Sequence, residues 1–242
     1  MLNWLPNGAD PAGTGTPTDL VIPSNQAVVA TLFCPTGRNM DNNSTDEPSS
    51  RQKSLTYARG YKEVTTYRTS GGSPYRHRRI VFSLKGGPAL FLLGDTSFAT
   101  QYYTLFTSIG QVRQNAVLPT NLQNVLTSIV FRGGVNIDWF SVFNAKVDTS
   151  RVTIHSDKTV IINPGNATGS HRLKKMWYPL NKNLMYGDDE QGPNINSTPF
   201  STQGRIGMGD LYLLDFYQST VSEGGAAAMG VNHEGTYYWH EK

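Results

Sequence analysis

Residues 54–69 read Ser-Leu-Thr-Tyr-Ala-Arg-Gly-Tyr-Lys-Glu-Val-Thr-Thr-Tyr-Arg-Thr. Thr, Tyr and Val suit a pleated backbone, so this stretch reads as a strand. Eight further runs carry the same signal: Ala27–Phe33, Arg79–Leu84, Leu90–Leu93, Tyr102–Ile109, Ala145–Ile154, Thr159–Ile162, Leu211–Tyr217 and Thr236–His240. Alternation with one wet face is clearest in Lys146-Val147-Asp148 and Arg151-Val152-Thr153-Ile154. One segment has a different period. Leu122, Val125, Leu126, Ile129 and Val130 fall on a single helical face, with Pro119 and Thr120 before them and Gly133-Gly134 after. This predicts one helix over 121–132. The balance of strand-like runs over helical ones predicts an all-β domain, an eight-stranded-type jelly roll of two antiparallel sheets. It is expected to span 26–242, after an irregular lead over 1–25 rich in Pro, Gly, Thr and Asp.

Composition supports this. Among 242 residues there are 12 Tyr, 10 Phe, 24 Gly and 13 Pro, the makings of many short strands joined by turns. The single cysteine, Cys34, excludes an intrachain disulfide and reads as a small core hydrophobe. The opening Met-Leu-Asn-Trp-Leu-Pro lacks the basic and apolar regions of a secretory signal. The longest apolar stretch, Ala89–Leu93, is too short to span a bilayer, so no membrane partner is expected.

Charge is unevenly placed. Residues 1–50 carry Arg38 against Asp10, Asp19, Asp41, Asp46 and Glu47. Residues 51–79 carry Arg51, Lys53, Arg59, Lys62, Arg68, Arg76, Arg78 and Arg79 against Glu63 alone. A second cluster comprises Arg172, Lys174, Lys175 and Lys182. Two readings stand side by side. Such runs are commonly solvated faces. Interleaved Tyr57, Tyr61, Tyr67, Tyr75 and His77 instead suit a polyanion, with rings stacking on unpaired bases while cations neutralise phosphates.

Catalytic parts do not assemble. The histidines at 77, 155, 171, 233 and 240 lack ligand spacing, and His233-Glu234 meets Tyr237 where a zinc protease needs its second His. Asp188-Asp189-Glu190, flanked by Gly187 and Gly192-Pro193, reads as an exposed acidic turn without the alternating ligands of a calcium loop. Gly204-Arg205-Ile206-Gly207-Met208-Gly209 has the wrong glycine order for a dinucleotide fingerprint, and reads as a tight bend with close backbone approach before a strand. No enzyme, cofactor, metal or small-molecule substrate is expected. A lectin or hydrolase on a jelly-roll scaffold stays a competing reading, since fold does not fix function.

Several of these segments together resemble the capsid proteins of genomoviruses, fungus-associated circular single-stranded DNA viruses related to the geminiviruses. They are Leu32-Phe33-Cys34-Pro35-Thr36, Thr56-Tyr57-Ala58-Arg59-Gly60-Tyr61-Lys62-Glu63, Arg78-Arg79-Ile80-Val81-Phe82 and Phe143-Asn144-Ala145-Lys146-Val147-Asp148-Thr149-Ser150. They continue with Lys175-Met176-Trp177-Tyr178-Pro179-Leu180-Asn181-Lys182-Asn183-Leu184, Ser201-Thr202-Gln203-Gly204-Arg205-Ile206-Gly207-Met208-Gly209-Asp210 and Tyr238-Trp239-His240-Glu241-Lys242.

The resemblance implies a jelly-roll subunit that self-assembles into a small icosahedral shell around circular single-stranded DNA. It implies no catalysis, and a virion assembled inside the host cell, in the nucleus. Family members usually begin with an Arg/Lys-rich DNA-binding arm, whereas this sequence opens on a lead carrying Asp10 and Asp19. Either that arm has been lost here or packaging relies on the inner face of the folded domain, whose DNA contacts are expected to include Arg76, Arg78, Arg79, Lys174, Lys175 and Tyr75. Trp177, Tyr178, Tyr238 and Trp239 are expected at subunit interfaces. The alternative is a single-stranded-DNA-binding module that forms no shell and uses residues 51–79. The terminal aromatics from Thr236 onward are expected to form the last strand, buried on at least one face.

Overall fold

The computed structural model describes residues 2–3, 19–40, 50–86, 105–107, 110–112, 114–222 and 227–241. The order opens with β1 (Leu2–Asn3), β2 (Leu20–Pro23), β3 (Val29–Phe33), β4 (Leu55–Ser70) and β5 (Tyr75–Leu84). Three short strands follow, β6 (Leu105–Thr107), β7 (Gly110–Val112) and β8 (Gln114–Val117), then α1 (Thr120–Val130). The second half holds β9 (Thr153–Ile162), β10 (Ser170–Met185), β11 (Asp189–Gln191), β12 (Asn194–Asn196), β13 (Asp210–Ser219) and β14 (Ala228–Glu241).

The fold is all-β and jelly-roll-like, built on two main antiparallel sheets with one helix among the described residues. One sheet has the order β1-β8-β3-β13-β5-β9, the other β10-β4-β14-β2. Among the described strands only the short β1·β8 pair is parallel. The β6·β7 and β11·β12 ladders are separate two-stranded ribbons. The chain crosses between the main sheets at Gly71–Pro74, where Gly71 takes φ +94°. That left-handed backbone suits glycine because no Cβ clashes there.

Two apolar clusters fill the space between the sheets. One gathers Leu20, Ile22, Tyr67, Tyr75, Tyr217, Met229 and Val231; the other gathers Phe33, Ala58, Tyr61, Val81, Tyr178, Leu213 and Tyr237. A third covers the far face of the six-stranded sheet. There Leu32, Ile80, Phe82, Leu214 and Phe216 meet Leu122, Leu126 and Val130 of α1 with Phe131, Phe143 and Val147 beyond it.

α1 falls close to the expected 121–132, ending at Val130 with Phe131 already extended. Leu122, Leu126 and Val130 are buried, whereas Val125, assigned to the same face, is exposed. Of the expected strand Ala145–Ile154, residues 145–152 are a turn and only Thr153 and Ile154 are strand. Asp148 accepts hydrogen bonds from the Ser150 amide (3.0 Å) and hydroxyl (2.6 Å), which turns the backbone, and Val152 N–H bonds Asp148 C=O. Ala145 and Val147 still reach the core from this turn. One strand then runs unbroken through 153–162, where a break was expected before Thr159.

β2 lies within the segment expected to be an irregular lead, paired with β14 through Leu20↔Val231 and Ile22↔Met229. β14 starts well before Thr236. β10, absent from the expected strands, is a sixteen-residue edge strand paired only with β4. Pro179 sits at its register shift, the bulge position where a missing N–H is tolerated. Leu90–Leu93 lies outside the described residues, as does most of Tyr102–Ile109. Gly207 (φ +80°) and Gly209 (φ +86°) bear out the bend before β13. A Cβ on Gly209 would stand 2.6 Å from the Leu84 carbonyl carbon.

Candidate functional site

Side chains two residues apart on a strand share a face. That rule places one polar layer between the two inter-sheet apolar clusters. On β4, Tyr67 is followed on the inner face by Thr65, Glu63 and Tyr61. On β5 the series is Tyr75, His77, Arg79, Val81; on β13 it is Tyr217, Asp215, Leu213; on β14, Val231, His233. Each series enters in one apolar cluster, and those on β4, β5 and β13 leave in the other.

Arg79 binds both carboxylates of this layer. Its Nε and Nη2 reach Asp215 at 2.6 and 2.9 Å, and Nη1 reaches Glu63 at 2.5 Å. His77 Nε2 lies 2.6 Å from Asp215, with Nδ1 2.8 Å from the Tyr67 hydroxyl. His233 Nδ1 lies 2.8 Å from Glu63, with Nε2 3.0 Å from the Tyr217 hydroxyl. Thr65 donates to Glu63 at 2.7 Å. All of these groups are buried.

Burial alone would push the Glu63 carboxyl up, but Arg79 and His233 override it and hold it at about 2. Asp215 is likewise raised by burial yet driven well below the carboxylate range by Arg79 and by the His77 hydrogen bond. Burial lowers His77 below its ordinary value despite Asp215, so the neutral ring donates Nε2–H to Asp215 and accepts from Tyr67. This layer joins two sheets by charge and hydrogen bonds in a sealed space. The surface clefts lie elsewhere, against Arg76, Gln218 and Thr220 and against Gln123, Trp139 and Phe140.

The expected nucleic-acid set is therefore corrected. Tyr75 is wholly buried, Arg79 belongs to the inter-sheet layer, and Arg78 forks onto Asp157 (2.9 and 2.7 Å) and bonds the Val142 carbonyl. Those guanidiniums are consumed inside the subunit. Arg76 is half-buried, held by Gln218 and stacked 4.1 Å over the Phe143 ring. Lys174 points to the inner rim of β10, where burial and Arg79 lower its pKa. Lys175, one residue on, faces outward and is exposed.

The expected interface set divides the same way. Tyr178 is buried in the subunit's own core, and Trp239 packs against that core, stacked on Tyr237 at 5.6 Å with Arg38 4.0 Å over its ring. Trp177 and Tyr238 alternate with them and face solvent, 46% and 42% exposed.

The acidic segment is not a free turn either. Asp188 takes a fork from Arg51, Nη1 and Nη2 both at 2.5 Å. Arg51 is completely buried, stacked 3.9 Å over Tyr186, and also donates to the carbonyls of Arg38 and Thr198. No metal-binding cluster of His, Cys, Asp or Glu occurs among the described residues.

A further surface feature lies just after α1. After α1 the chain makes a tight turn that raises Ile137 and Phe140, each 81% exposed. Asp138 accepts from the Gly134 amide at 2.7 Å, Asn136 N–H bonds Trp139 C=O at 2.8 Å, and Trp139 packs edge-on against Phe131 at 5.2 Å. These contacts close the turn while Ile137 and Phe140 point away from the subunit.

No protein-family model matches this chain, and no curated protein matches it in sequence. Fold and surface define a class: a two-sheet, jelly-roll-like sandwich whose ionisable interior is sealed and whose outward features are an apolar turn and an aromatic, basic sheet face.

Proposed function

We propose that this chain is a structural coat protein of the genomovirus kind, self-assembling into a small icosahedral shell that encloses circular single-stranded DNA. On this reading it works by contact, not catalysis, as part of a virion assembled in the host nucleus. The observation that carries it is the fixed turn presenting Ile137 and Phe140 to solvent. Large exposed apolar side chains on a pre-ordered backbone are what a subunit contact uses, because little entropy remains to be lost on docking. A closed shell needs several such contacts per subunit, and weak ones suffice when many form at once. The ordered series of capsid-like motifs supports the same reading, as does the sealing of the titratable groups between the sheets.

Sedimentation and electron microscopy of the purified chain test it. Uniform shells are expected, and Ile137→Asp with Phe140→Asp should yield a subunit with unchanged β circular dichroism that no longer assembles. A chain that stays monomeric across concentration and salt refutes the reading.

A further inference from the structure

We propose that the open face of the four-stranded sheet binds single-stranded nucleic acid, stacking bases on Trp177 and Tyr238 and holding phosphates with Lys62 and Lys175. The strand register assembles this face. Trp177 stands opposite Lys62, and Lys62 opposite Thr236; Pro179, Gly60 and Tyr238 form the next rank, and Lys175, Val64 and Glu234 the rank on the other side. Gly60 is what lets the indole lie down. A Cβ there would meet Trp177 Cη2 and Cζ2 at 2.6 Å, so the ring rests directly on the β4 backbone. Tyr238 stands edge-on to it, with centroids 5.8 Å apart at 64°. Farther along the same face Tyr57 and His240 stack at 6.4 Å.

The charge fits an anion. Among the described residues no carboxylate lies within ion-pair distance of Lys62 or Lys175; Asp19 is taken by Arg68, leaving Glu234 as the acid on this stretch. A second copy of the chain is the poorer occupant, because protein interface cores are depleted in lysine and here Lys62 sits between Trp177 and Thr236. Flat aromatic rings on a basic sheet suit unpaired bases, which offer their faces, better than a duplex, which does not. Binding itself does not depend on the coat-protein reading; only the identity of the strand as the packaged genome rests on it.

The test is fluorescence anisotropy of a labelled oligothymidylate, with oligouridylate and duplex DNA as parallel probes. Trp177→Ala and Tyr238→Ala should each weaken oligothymidylate binding about tenfold. Lys62→Gln and Lys175→Gln should each flatten the log–log salt dependence by roughly 0.7. Lys146→Gln, exposed outside this sheet, should change neither. Unchanged affinity and slope in the folded lysine and aromatic variants overturn the proposal, as does duplex bound as tightly as single strand. So does a set of variants that bind DNA normally yet fail to assemble, which would make this face a subunit contact. Shells without oligonucleotide affinity sink this proposal alone. Binding through this face by a chain that never assembles supports it and sinks only the coat-protein reading.

Discussion

Replacing Arg79 by Met removes the one guanidinium shared by Glu63 and Asp215, whose side chains are 0% and 1% exposed. Three charge-assisted hydrogen bonds of 2.5–2.9 Å vanish, and two carboxylates stay in a layer with only His77 and His233 to compensate them. Breaking a buried ion pair from one side typically costs about 3–5 kcal/mol, a large part of the roughly 5–15 kcal/mol by which a domain is stable. With a urea m-value of about 2 kcal/mol/M, the midpoint at neutral pH should fall by roughly 1.5–2.5 M. The pH dependence is the sharper test. In the native protein Glu63 titrates at about 2, below its ordinary 4.5, so its contribution is fully present above 4.5 and fades as pH falls toward 2. Without Arg79, burial dominates and both carboxyls titrate above their ordinary values. The folded variant then takes up protons before the unfolded chain does and gains stability on acidification. The deficit should therefore narrow between pH 7 and 5. A deficit under about 1 kcal/mol, or one that widens on acidification, refutes this account of the layer.

The unmodified protein should lose stability as pH falls, first below 6.5 as the unfolded chain protonates its histidine where folded His77 resists, then more steeply below 4.5 through Glu63 and Asp215. Asp210, raised by burial to about 6 from 3.8, opposes this between those values; urea midpoints that stay flat from pH 4.5 to 2 would contradict the assignment. Arg51→Lys keeps the charge but loses the fork to Asp188 and bonds to the Arg38 and Thr198 carbonyls, so it should cost about 2–4 kcal/mol and speed amide exchange over 186–201. Deleting residues 236–242 strips Tyr237 and Trp239 from the inter-sheet core and unpairs β4 from Thr56 to Lys62 on that side, so the chain should fail to give native β circular dichroism; a folded, soluble monomer would show that the segment clasps a neighbour instead.

The elements that were legible are those whose local signal had no rival. β4 lies within one residue of its expected bounds at each end, and the helical period at 122–130 located α1. β10 hid because Lys, Asn and Pro179 depress strand propensity. It tolerates them as an edge strand paired on one side and solvated on its outer face. The misjudged basic cluster has a different cause. The acids that consume Arg78 and Arg79 lie 79 residues away at Asp157 and 136 away at Asp215, so counting charge over 51–79 could not see them. Even Glu63, within the window, was set against the whole cluster when it belongs chiefly to Arg79. A usable signal was present: Ile80, Val81 and Phe82 are consecutive apolar residues, the mark of a strand covered on both faces. Charges continuing such a strand need partners inside the fold.

The same distinction decides which charges remain for a partner. β5 and β13 are buried along nearly their whole lengths, between the other sheet and the α1 layer, whereas β4 alternates buried and open positions. A basic residue on β5 is thus neutralised by the fold or destabilises it, and Arg78 and Arg79 are neutralised. On β4 the period of two turns Glu63 inward, toward Arg79, and turns Lys62 and Arg68 outward. The only acid in the 51–79 block is spent on the interior, and the outer face of β4 does not receive its charge. β10 then lies beside that face with Lys175 and Trp177 on the same side. Pairing the two strands concentrates, on the solvent face of one sheet, cations from both basic segments of the sequence. A sequence-level excess split between two distant segments becomes one surface only because an antiparallel ladder sets Lys62 opposite Trp177.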